Sequence, residues 1–98
     1  MKELPVSVED LMIYGRIDPG DERVVEACIR GAVAYFRASG VPDAARTDPE
    51  YVEGIKMLAY ERYETRGATV AGTETPRMAG VRSIIYHLRY GDYGEGTA

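Results

Sequence analysis

Apolar residues recur at steps of three and four along most of this chain, and the polar residues between those stretches read as helix caps and turns. The clearest stretch holds Val24, Val25, Cys28, Ile29, Ala32, Val33, Tyr35 and Phe36, a wide apolar stripe with Arg30 and Arg37 mostly off it. Gly40 stands where a C′ glycine belongs, and Pro42 forbids continuation. Gly31 sits inside this helix at a cost of about 1 kcal/mol against alanine, which points to a close helix–helix approach. Ahead of it, the pattern predicts a shorter helix from about Val8 to Tyr14. Ser7 is its N-cap, Asp10 three residues on approximates a capping box, and Val6 and Leu11 take the two positions of a hydrophobic staple. Gly15 is expected to end this helix or loosen its last turn. In the turn Asp18-Pro19-Gly20-Asp21, either Asp18 with Pro19 at the first helical position, or Asp21, caps the next helix.

A third helix opens at Thr47-Asp48-Pro49-Glu50, read as a capping box with proline just inside and acids at the positive dipole end. It is expected to run to about Arg66 and close at Gly67. Val52, Ile55, Leu58, Ala59, Arg62 and Tyr63 form one face, widened by Tyr51, Met57, Tyr60 and Glu64. Residues 67–77 are small and polar with no helical period, so they read as a long loop of the mobile or functional kind, with a weak strand signal around Thr69–Ala71. A last helix from about Met78 to Tyr90 carries Val81, Ile84, Ile85 and Leu88 on one face. The glycine-rich residues 91–98 read as a flexible C-terminal tail. The expectation is an all-α fold: one domain over residues 1–90, a small four-helix bundle with a long loop before the last helix. Short connections between the first three helices favour antiparallel neighbours.

At 98 residues the chain buries only about two-thirds of its unfolded surface, so partners are well placed to add stability. Hydrophobic content of 45% is that of a globular protein. The formal net charge of −4 argues against a surface that attracts nucleic acid as a whole. The charge is uneven, however. Residues 1–26 carry Glu3, Glu9, Asp10, Asp18, Asp21, Glu22 and Glu26 against Lys2, Arg16 and Arg23, whereas residues 66–89 carry Arg66, Arg77, Arg82 and Arg89 against Glu74 alone. Solvated faces account for most such asymmetries, but an acidic end and a basic end also suit head-to-tail self-association. A single cysteine permits no internal disulfide and fits a reducing cytoplasm. With no apolar run near membrane-spanning length and no signal peptide, the chain reads as soluble and without a membrane partner.

Candidate chemistry is sparse. His87, the one histidine, falls in the last turn of a helix beside Arg89, where a surface or dipole-complementing role is the ordinary one. Cys28 lies on the apolar stripe and reads as an inert buried thiol. The pairs Glu9-Asp10 and Asp21-Glu22 sit where capping explains them, and no glycine-rich phosphate loop follows a strand. The expectation is no enzymatic activity, no cofactor and no metal. Eight tyrosines are unusual for one small domain. Tyr60, Tyr63, Tyr86 and Tyr90 cluster on the last two helices among arginines. That combination suits interfaces as well as half-buried packing.

Four blocks in order span nearly the whole chain: Val6-Ser7-Val8-Glu9-Asp10-Leu11, Gly15-Arg16-Ile17-Asp18, Tyr60-Glu61-Arg62-Tyr63-Glu64-Thr65-Arg66-Gly67, and Gly80 to Tyr90. In order and spacing they resemble the small head–tail connector, or DNA-packaging adaptor, proteins of long-tailed phages and prophages. The resemblance rests on Ser7, Leu11, Arg16, Ile17 and Asp18, then Tyr63, Glu64 and Arg66, and finally Val81, Ile84, Leu88 and Arg89. Gly15 departs from it, standing where a leucine-like residue is expected, as do Gly31 and Gly54 within helices. The resemblance implies a virion structural protein made in the bacterial cytoplasm and located at the head–tail junction. It implies a homo-oligomeric ring, typically dodecameric, beneath the portal protein. Such a ring extends the DNA channel without sequence-specific binding and offers a platform for head-completion or tail proteins. A ring requires one patch of a subunit to bind a different patch of the next. Tyr60, Tyr63, Glu64, Arg66, Arg82, Tyr86 and Arg89 are the subunit-interface candidates, with Glu64 and Arg66 as intersubunit ion-pair candidates. The rival expectation is a small helical DNA-binding regulator with Arg77, Arg82 and Arg89 on phosphates.

Overall fold

The computed structural model describes residues 4–65 and 76–90. Within them the chain forms four α-helices and no strand: α1 (Val8–Gly15), α2 (Glu22–Ala38), α3 (Pro49–Thr65) and α4 (Pro76–Arg89). This is the expected all-α bundle. The expected long loop and tail fall mostly or wholly on residues 66–75 and 91–98, outside the described residues, as does Arg66.

Helix α1 begins as its sequence dictates. The Ser7 hydroxyl accepts a hydrogen bond from the Asp10 amide at 3.0 Å, and the staple residues Val6 and Leu11 are both buried. It ends at Gly15, as expected, but the left-handed turn falls on the next residue: Arg16 takes φ 54° while its amide bonds back to Ile13. The reason lies across the interface: a Cβ at Gly15 would stand 2.5 Å from the Tyr60 ring, so the glycine admits α1 against α3. At the start of α2, Asp21 is the N-cap residue, but its carboxylate makes no capping bond; it accepts the Tyr63 hydroxyl from α3 instead. Gly40, at φ 93°, turns the chain out of α2 as expected of a C′ glycine.

The connection to α3 contains a short 3-10 turn over Asp43–Thr47 that the pattern did not predict. Thr47 lies within that turn, so the expected capping box is not made. Asp48 caps α3 instead, its carboxylate accepting the Glu50 amide at 2.7 Å. Glu50, freed from the box, reaches His87 on α4 at 3.1 Å.

Cross-helix contacts fix the directions. Asp21 meets Tyr63, and Phe36 meets Tyr51 edge-on at 5.4 Å, so α2 and α3 are antiparallel. Glu50 meets His87 while Glu61 and Glu64 meet Arg77, so α3 and α4 are antiparallel too. Helix α3 packs against α1, α2 and α4 together. That central position explains why the partly buried Val52, Met57, Tyr60 and Tyr63 extend round the helix beyond the buried stripe of Tyr51, Gly54, Ile55, Leu58 and Ala59. At Gly54 two helices close in on α3 at once. A Cβ there would lie 2.8 Å from Phe36 Cζ and 2.9 Å from Ile84 Cγ2, so α2, α3 and α4 converge on a position that holds no side chain. The close approach expected at Gly31 is of another kind: the Arg62 guanidinium, not a helix backbone, lies over it.

Candidate interaction surfaces

Two clusters and one groove collect most of the chemistry of the described residues. The first cluster forms where the C-terminal end of α3 meets the start of α4. Arg77 lies 2.8 Å from Glu61 and 2.8 Å from Glu64, and its guanidinium sits 4.9 Å from the Tyr60 ring centroid. Tyr60 stacks on Tyr63 at 6.3 Å and meets Tyr14 of α1 at 6.0 Å. The hydrogen bond that Tyr60 gives Glu64 raises the phenol's pKa. The same bond, then the one from Arg77, holds the Glu64 carboxyl below its ordinary value. Glu61 is the buried charged residue here, 8% exposed, and Arg77 neutralises it. Of the sequence candidates, Tyr60, Tyr63 and Glu64 are thus brought together, but each already has a partner in its own chain. Glu64 pairs with Arg77.

The second cluster lies at the C-terminal ends of α2 and α4, where Tyr35, Ser39, Arg82, Ile85, Tyr86 and Arg89 line an open hollow. Tyr86 and Tyr90 are 62% and 65% exposed and lie with ring centroids 4.8 Å apart. Arg89 stands 5.1 Å from the Tyr90 ring. The candidates Arg82, Tyr86 and Arg89 therefore share one surface, and this surface is separate from that of Tyr60, Tyr63 and Glu64. The described candidates thus fall on two surfaces, Arg66 lying outside the described residues.

The groove was missed by the sequence reading. Val8, Met12, Ile13, Ile17 and Pro19 line it with two acids, Glu9 and Glu22, and Ile13 is 70% exposed. A signal was present: α1 reads Val-Glu-Asp-Leu-Met-Ile-Tyr, apolar on more sides than one packed face needs, and only Leu11 is fully buried. Cys28 is buried beside an open hollow shared with Val24, Ala27, Arg62 and Thr65 and forms no disulfide. Among the described residues, no group of three His, Cys, Asp or Glu side chains is placed to hold a metal ion, and no helix is long and apolar enough to cross a membrane.

Comparison of the chain with protein-family models, with curated proteins and with solved structures found no match.

Proposed function

We propose that this chain is a structural head–tail connector of a tailed phage or prophage, assembling as a ring beneath the portal and carrying the DNA channel toward the tail. The ordered sequence blocks support this reading, and one structural observation carries it. The bundle exposes large apolar and tyrosine side chains in two places far apart, on α1 and at the end of α4, instead of around one pocket. A ring subunit needs two different sticky patches, because each copy must hold a neighbour on either side. Exposed patches of this kind mark interaction sites more often than idle surface. The rival reading, a DNA-binding regulator, loses one of its three phosphate-contact arginines, since Arg77 is held by Glu61 and Glu64.

The test is electron microscopy of the protein alone and after mixing with the portal protein encoded in the same genome. Annular particles, or added density beneath the portal, are expected. No association at high micromolar concentration contradicts the proposal. Retention on duplex DNA that falls steeply with salt would instead favour the regulator.

A further inference from the structure

Resting on the connector reading, we infer that copies dock head to tail, the Tyr86–Tyr90 edge of one chain seating in the α1 groove of the next with Arg89 against Glu9 and Glu22. Three observations lead there. The first is chemical fit. The groove is apolar along Met12 and Ile13 and carries two acids and no base. The α4 hollow carries two arginines and no acid, beside two exposed tyrosine rings. A tyrosine brings a large apolar body with a polar tip, which suits an apolar trough rimmed by carboxylates.

The second is placement. Glu22 is the first residue of α2, and Ser39 follows its last, so the groove and the hollow lie at opposite ends of that 17-residue helix. At a rise of about 1.5 Å per residue, the two surfaces are roughly 25 Å apart. Filling one leaves the other open, so every added copy presents a fresh site.

The third is exclusion of the symmetric alternatives. Groove against groove would oppose Glu9 and Glu22 to the same acids, and edge against edge would oppose arginine to arginine. Like charges brought together across a contact disfavour both. Only groove against edge matches apolar to aromatic and acid to base.

The experiment uses the full chain in two single-surface variants, Ile13→Asp and Tyr86→Ala/Tyr90→Ala, followed by sedimentation velocity up to millimolar concentration. These side chains are exposed, so circular dichroism should show both variants folded as the wild type. The wild type is expected to grow beyond a dimer with concentration, and each variant alone to remain monomeric. An equimolar mixture is expected to stop at dimers, because one intact groove meets one intact edge. In addition, p-benzoylphenylalanine in place of Tyr86 is expected to cross-link to residues 8–22 of another copy.

Variants that assemble as the wild type does, a mixture that stays monomeric, a cross-link to residues 76–90 of another copy, or a wild type monomeric throughout each overturn the pairing. Rings that survive both variants sink this pairing and leave the connector reading standing. Dimers from the mixture, without any binding to the portal, uphold the pairing and sink the connector reading.

Discussion

Replacing Gly54 with alanine sets two effects of known size against each other. Helix propensity alone favours the alanine by about 1 kcal/mol. Packing opposes it. The new methyl would stand 2.8 Å from Phe36 Cζ and 2.9 Å from Ile84 Cγ2, well inside contact distance. Phe36 is fully buried and braced edge-on against Tyr51 at 5.4 Å, so its ring has nowhere to swing. Relief requires α2 or α4 to shift, and overpacking of this kind costs typically about 1–3 kcal/mol. Set against the propensity gain, the net expectation is a loss of up to about 2 kcal/mol, which for a domain of this size lowers Tm by up to roughly 15 °C. Gly31→Ala is the internal control. Its methyl would lie 3.3 Å from the guanidinium of Arg62, an exposed and flexible side chain that can move aside. There propensity should win, for a gain of about 0.5–1 kcal/mol. Thermal and urea unfolding of both variants, followed by circular dichroism, reads the contrast directly. Gly54→Ala exceeding the wild type, or Gly31→Ala proving the more damaging change, would refute the packing argument.

The C-terminal half of α3 and its partners yield three further expectations. Arg77→Leu strands the buried Glu61 carboxylate and is expected to cost about 2 kcal/mol in urea unfolding, with Glu61→Gln in the same chain restoring part of it; no restoration would show the loss to be packing alone. Tyr63→Phe removes the hydrogen bond to Asp21 that ties α3 to the start of α2, at an expected cost of about 1 kcal/mol. A double-mutant cycle with Asp21→Ala should show coupling between the two; strict additivity would contradict a direct bond. Glu64 has a folded-state pKa below its unfolded one, because Tyr60 and then Arg77 hydrogen-bond its carboxylate. Its stabilisation is therefore complete above the unfolded value of about 4.3 and lost as pH falls through the lower folded value. Glu64→Gln should flatten the acid limb of the stability profile, and an unchanged limb would show that the bond contributes nothing.

Sequence patterns carried the helices because each is long enough for its spacing to speak, and because Ser7, Val6, Leu11 and Gly40 meet their local demands within a few residues. What was hidden depends on partners remote in sequence. Gly15 looks like no more than a terminator until Tyr60 is seen lying across it. Thr47 and Glu50 match a capping box, yet the 3-10 turn takes Thr47, and His87 lies within reach of Glu50. Glu61 looks like any charge on a helix until α4 closes over it with Arg77. The interface candidates were legible as residue types, tyrosines among arginines, but not as places. Tyr60 and Tyr63 serve contacts within the chain, whereas Tyr86 faces outward, and the periodicity of α3 and α4 distinguishes neither. The α1 groove was legible only as an excess of apolar positions on a short helix.

The most direct test of the central proposal, that this helical unit holds neighbours at a phage neck, is quantitative mass spectrometry of particles purified after induction of the genome that encodes it. The account predicts this chain in the particle at a fixed ring stoichiometry, one copy per portal subunit. Intact, infectious particles that lack the chain would contradict it.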